Sequence, residues 1–485
     1  MKYQLRPIAV LLAALGASAP LNAADQIELP EIGDSSGAII SPEQEHRLGE
    51  EYMRQIRRQA PIVSDDEVED YIQGLGSSLS KYTNYELPFH FFMIQAPVIN
   101  AFALPGGYVA VYSELMLQTE NESELASVLG HEISHVTQRH GARMIEEAAH
   151  MSAPMIASMV AGLVLMAVNP QAGAGALMAG QAAAQQMQIN FTRANEKEAD
   201  ALGIKLMNQA NYDVDMMASF FERMQRASRY TDPSFIPEYL RTHPITINRI
   251  AEARNRAAQI KQTGVHEDNF RYHLIKAKLR VMAEPDPMQA VRYFQERLAK
   301  HESDHEEVDQ YGYALSLLEA GDFVKARIEL AKLIDAYSGM TAFRIAAGQL
   351  EQRANHYAEA LPYFAKAYEL EPESRAAVYG YVNALLLVDR AQDAKQLLGS
   401  YGLSERRDPK FYKLLADAQD RLGEAPEAHH SLAEYYYGVG EFPYAAEQLR
   451  IARESPGLSN YQRQKIVARL EEVEDTIQRL MDDHH

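Results

Sequence analysis

The chain has 485 residues, 47% hydrophobic and 24% charged, too many for one core of ordinary size and too balanced for a disordered, fibrous or polytopic membrane protein. Its 47 Lys and Arg stand against 67 Asp and Glu, a formal charge of -20, and with no basic patch in view no nucleic acid is expected as a partner. The absence of cysteine removes disulfides, thiol nucleophiles and thiolate metal sites, so any metal must sit on nitrogen and oxygen.

Lys2 and Arg6 precede an apolar stretch from Ile8 to Leu15, and small residues lead to Ala23 and Ala24. This is the three-part pattern of a secretory signal over residues 1–24, too short to span a bilayer. Export without cysteine fits a bacterial periplasm, with the acidic mature chain soluble there. Ser41, Pro42 and Gln44 read as a capping box and first-turn proline for a helix to about Gln59, and a second helix follows Ser64 with Asp65 to Glu67 in its acidic first turn. Strand propensity rises from Phe89 to Ile94 and again from Tyr108 to Tyr112, after the turn Pro105, Gly106, Gly107. Helical patterning resumes near Asn121.

Residues 148–192 carry no Asp, Glu, Lys or Arg, and their most apolar part, Met155 to Val168, is too short for a comfortable span. A buried helical hairpin, a lid, or an interfacial segment in peripheral membrane contact are the readings of this stretch. Farther on, Ala290, Ala326, Ala360, Ala394 and Ala428 are separated by 36, 34, 34 and 34 residues, the period of tetratricopeptide helix pairs. Gly348, Ala360, Phe364, Ala367 and Pro372 complete the best unit, and Gly321 and Gly423 sit in comparable turns. The expected architecture is mainly α: a domain with a small β-sheet over 25–264, then an α-solenoid of repeats over 265–485 whose free face holds another polypeptide.

The chemistry lies in two short segments. His131, Glu132 and His135 spell H-E-x-x-H behind Leu125, Val128 and Leu129, the buried positions of a helix capped near Asn121. Residues four apart share a helix face, so both imidazoles can bind one zinc ion per chain while Glu132 serves the water beside it as general base. A third histidine ligand at position 141 is ruled out by Gly141. His140 lies about 140° around a continuous helix from His135 and reads as structural. Glu196 and Asp200 share a face of a helix opening at Asn195; Glu196 is the candidate third ligand, and Asp200 can accept the free N–H of a ligating imidazole. Glu198 points away from that face, toward solvent. His243, before Pro244 and ahead of Arg249, is read as a neutral imidazole at a helix start that approaches the metal, either as oxyanion stabiliser or as fourth ligand of a latent state.

These motifs, with Asn100 to Gly107 upstream, resemble the peptidase family that includes the CAAX prenyl proteases and the heat-shock membrane protease HtpX. The signal and repeats narrow the resemblance to its periplasmic, repeat-bearing members. It implies a zincin-like metallopeptidase domain over 25–264 in a Gram-negative periplasm, with ligands His131, His135 and Glu196, base Glu132, and Asp200 behind the ligands. It also implies unfolded or misassembled outer-membrane β-barrel proteins as substrates to be degraded or assisted, and the β-barrel assembly machinery as partner. The extended Ala101 to Leu104 segment offers an edge for a substrate strand. The competing expectation is a non-catalytic periplasmic chaperone or adaptor with a structural zinc site.

Overall fold

The structure is a computed structural model that describes residues 41–149, 182–229, 237–266, 269–301, 305–401 and 408–482. The signal at 1–24, most of the uncharged 148–192 stretch, and His484 and His485 lie outside the described residues.

Helix α1 (Pro42–Gln59) starts on the capping box: the Ser41 hydroxyl accepts from the Gln44 N–H, and the Gln44 side chain accepts from the Ser41 N–H. Helix α2 (Asp66–Ser80) is capped by Asp65 rather than Ser64, because the Asp65 carboxylate accepts from the N–H groups of Glu67 and Val68. Three strands follow, β1 (His90–Ile94), β2 (Ala101–Leu104) and β3 (Tyr108–Tyr112), in the order β1-β3-β2, with β1 parallel and β2 antiparallel to β3. Gly106 and Gly107, at φ of 81° and 90°, make the tight return that only glycine enters freely. Alternation along the strands buries Phe92, Ile94, Ala110 and Tyr112 against Tyr52 and Ile56 of α1. It turns Phe91, Met93, Val109 and Val111 toward α2 and the next helices. β2 is left at the sheet edge.

Helices α3 (Ser113–Gln118), α4 (Glu122–Thr137), α5 (His140–Ala149), α6 (Ala182–Gln209), α7 (Asp215–Arg229), α8 (Glu238–Thr242) and α9 (Ile247–Gln259) complete this half. Asn121 caps α4 by accepting from the Glu124 N–H, and Leu125, Val128, Leu129 and Ile133 are buried. α6 lies on α4 where Gly130 meets Gly203: a Cβ on Gly130 would stand 3.2 Å from the Gly203 carbonyl oxygen, and one on Gly203 would stand 3.1 Å from the His131 nitrogen. That close approach brings the α6 carboxylates to the H-E-x-x-H histidines. Two expectations change here. The Ala- and Gln-rich run has no breaker, so α6 begins at Ala182 and Glu196 sits in mid-helix rather than at a start. Pro244 opens no helix, because Thr246 caps α9, and His243 follows the last residue of α8.

Helix α10 (Phe270–Ala283) has two buried faces. Tyr272, Ile275 and Leu279 join the core around α4, while Leu274, Ala277 and Val281 join the first repeat. The array continues through α11 (Pro287–Lys300), α12 (Glu306–Glu319), α13 (Phe323–Ala336), α14 (Thr341–Arg353), α15 (Tyr357–Leu370), α16 (Arg375–Leu387), α17 (Ala391–Ser400), α18 (Pro409–Arg421), α19 (Ala425–Gly438), α20 (Phe442–Glu454) and α21 (Asn460–Asp482). The five periodic alanines fall on α11, α13, α15, α17 and α19, and all are buried. The solenoid curls back onto α2. Arg375 Nε stands 3.1 Å from Asp70 Oδ1, its Nη2 stands 3.1 Å from Glu69 Oε2, and Lys410 donates to Asp66 at 2.7 Å. No helix of the described residues is long and apolar enough to cross a membrane.

Candidate metal centre

His131 and His135, one turn apart on α4, present their Nε2 atoms 3.1 Å from each other. Glu196 comes from α6, its Oε2 at 3.4 Å from His131 Nε2 and its Oε1 at 3.3 Å from His135 Nε2. His243 enters from the end of α8, a short helix held because the Tyr239 N–H donates to the Ile99 carbonyl and the His243 N–H to the Tyr239 carbonyl. Its Nδ1 lies 3.2 Å from His131 Nε2 and 2.9 Å from Glu196 Oε1. One ligand atom from each of these four residues falls within 4.8 Å of all the others. Three ring nitrogens and a carboxylate crowded in this way are all satisfied together by one small cation. The donor set fits a metal.

Groups behind these atoms set their orientation. His131 Nδ1 stands 3.0 Å from Asp200 Oδ1. Arg249 donates to both Asp200 oxygens at 2.7 Å, and its Nη1 lies 2.7 Å from Glu196 Oε2. His140 fills the corresponding place behind His135, with its Nδ1 2.9 Å from His135 Nδ1 and its Nε2 3.1 Å from Glu198 Oε2. This differs from the expectation that His140 and Glu198 point elsewhere. α4 ends at Thr137, and Arg139 adopts a φ of 52°, so the chain turns and His140 folds back. Glu132 is 1% exposed, and neither of its oxygens has a hydrogen-bond partner among the described residues; His243 Nε2 stands 3.5 Å from its Oε1.

Burial raises the Glu132 carboxyl above the usual range. Burial works against the Glu196 and Asp200 charges too, yet His243 and His131 hold Glu196 well below that range, and Arg249 and His131 hold Asp200 below it. Burial would depress His131, but Glu196 and Asp200 raise it to about 10. Burial, joined by the charge on His131, lowers His135 to about 3. The pocket therefore keeps Glu196 and Asp200 ionised and concentrates the demand for positive charge at one point.

His131, Glu132, His135, Glu196, Asp200 and His243, all singled out by sequence, are thus together. Arg249, His140 and Glu198 were not given a part at the centre by sequence reasoning. The cue for Arg249 was its place beside Ile250, ahead of Ala253 and Ala257, on the buried face of α9: a buried arginine asks for carboxylate partners.

Residues 65–257 match the family model of peptidase family M48, and residues 351–418 match that of the tetratricopeptide repeat. The beta-barrel assembly-enhancing protease of Escherichia coli K12 is 34% identical over 470 residues, covering 96% of each chain. A putative beta-barrel assembly-enhancing protease of Vibrio cholerae is 36% identical over 407 residues, covering 83% of each. The human mitochondrial metalloendopeptidase OMA1 is 29% identical over 161 residues, 33% of this chain and 30% of that one. With a family match over the half that holds the four donors and likeness to the bacterial proteases along nearly its whole length, the chain is a metallopeptidase belonging to peptidase family M48.

Proposed function

We propose that the chain is a periplasmic zinc endopeptidase that degrades misassembled outer-membrane β-barrel proteins and assists the assembly of others. In this reading residues 25–264 form the catalytic domain and 265–485 the client-handling repeats, joined through α10. The convergence of His131, His135, Glu196 and His243 beside a buried Glu132 that has no hydrogen-bond partner among the described residues carries the proposal. Donors about 2.0–2.1 Å from a tetrahedral zinc stand about 3.3 Å from one another, which agrees with the 2.9 to 3.4 Å separations among these atoms. The names of the bacterial relatives support the barrel substrates, and the repeats support a partner such as the barrel assembly machinery.

When bound, zinc supplies a Lewis acid for the scissile carbonyl and acidifies a water beside it. Glu132 then takes the proton from that water and returns it to the leaving amine, a task for which a carboxyl raised by burial is suited. Asp200 and Arg249 hold His131 and Glu196 in place. β2, at the sheet edge and packed on α4, receives an extended client as an added strand, which suits the segments of an unfinished barrel. His243 would be the fourth donor of a resting state, withdrawing to open the site.

The test compares wild type with Glu132→Gln and His243→Ala on an unfolded barrel protein. Glu132→Gln keeps one zinc per chain and cleaves about 10²- to 10⁴-fold more slowly, while His243→Ala binds zinc less tightly and cleaves faster than wild type. Absence of zinc from the purified protein, or undiminished cleavage by Glu132→Gln, overturns the proposal. A Glu132→Gln protein that still keeps barrel chains soluble separates holding from cutting.

A further inference from the structure

We infer that His140, backed by Glu198, is a positioning residue that locks His135 in the tautomer able to bind the metal. The inference rests on the reading of His131, His135 and Glu196 as ligands.

Its starting point is the break after α4. Had the helix run on, His140 would project about 140° away from His135. Instead the left-handed Arg139, whose Nε donates to Glu45 Oε2 at 2.8 Å, turns the chain, and the His135 and His140 rings meet with centroids 4.7 Å apart and planes at 77°. Their two Nδ1 atoms face one another at 2.9 Å. A hydrogen bond between two like ring nitrogens requires that one carry the proton and the other a lone pair.

The metal decides which. His135 must offer a lone pair at Nε2, so its proton sits on Nδ1 and is donated to His140 Nδ1. His140 is then the acceptor at Nδ1 and carries its own proton on Nε2, 3.1 Å from Glu198 Oε2. Arg143 Nη1 lies 3.4 Å from the same oxygen. The chain Arg143, Glu198, His140, His135 thus has one consistent set of donors and acceptors. It parallels the chain Arg249, Asp200, His131, with an imidazole inserted between carboxylate and ligand. His140 is 5% exposed, so no bulk water competes for its Nδ1.

The test measures zinc affinity by competition with a chelator and reads the imidazole nitrogens of zinc-loaded protein by ¹⁵N NMR. His140→Leu keeps the bulk but removes both hydrogen bonds, and zinc binding should weaken about 10- to 100-fold with loss of the protected Nδ1–H signal of His135. His140→Gln, whose oxygen can accept from His135 and whose amide can donate to Glu198, should restore most of the affinity and the signal. Glu198→Ala breaks the chain at its more exposed end, leaves the core filled, and should weaken zinc in the same direction, so the idea stays testable if His140→Leu fails to fold. Unchanged zinc affinity in a folded His140→Leu or in Glu198→Ala, or a Gln variant no better than Leu, overturns it. A wild-type protein that binds no zinc defeats the ligand assignment itself, a different result from wild type and variants binding alike.

Discussion

The half built around α4 and the half built from repeats use buried residues in opposite ways. Around α4 the buried polar groups converge on one point, and contacts such as Arg249 to Asp200 or His243 to Glu196 occur once and join distant parts of the chain. In the repeats the key buried residues are small, and contacts such as Gly348 against Phe364 lie between helices adjacent in sequence. Damage should therefore be nearly all-or-none in the first half and graded in the second.

Three substitutions sharpen that contrast. Arg249→Leu has the largest expected effect. It leaves Asp200 and Glu196 buried without their cation, which costs about 3–5 kcal/mol, and thermal denaturation with and without added zinc should show both a lower midpoint and loss of the zinc-dependent rise. Gly348→Ala comes next: its Cβ would stand 2.5 Å from the Phe364 ring, an overpacking worth about 1–3 kcal/mol. Its unfolding midpoint should fall while cleavage of a short peptide and zinc affinity stay at wild-type values; a loss of zinc affinity would break the contrast.

The smallest effect concerns the seam between the halves. Burial, opposed by Arg375, raises Glu69 to about 7, so the folded chain holds a proton there that the unfolded chain releases near the ordinary value of about 4.3. The resulting stability is complete below the unfolded value and is lost as pH rises through about 7. Glu69→Gln should thus lose less thermal stability than wild type between pH 5 and 8, by on the order of 1 °C given that the side chain is partly solvated. A steeper loss in the variant would reverse the sign of this account.

The sequence made the local decisions legible. The Ser41 capping box, the Asn121 cap, the H-E-x-x-H face and the alanine ladder each depend on residues a few positions apart, and each appears in the structure. Less visible were outcomes set by neighbours far along the chain. A period of 3.6 carried past Thr137 puts His140 on the wrong side, because nothing in that period signals the left-handed Arg139. Thr246 took the cap that Pro244 suggested, which moved His243 from the start of a helix to the end of one. Arg249 gained its place only when α9 met α6, and the acidic start of α2 gave no sign that Arg375 and Lys410, more than 300 residues away, would return to it.

Helix α10 ties the birth of one half to the other. Synthesis delivers every donor residue of the centre before Tyr272, Ile275 and Leu279 exist, yet these three wall the core on which α4 rests. A nascent or truncated chain stopping at residue 264 has all its ligands and an unclosed flank. The same helix that seals this flank also lays the first course of the solenoid, so the cutting edge cannot be finished until the apparatus that feeds it has begun.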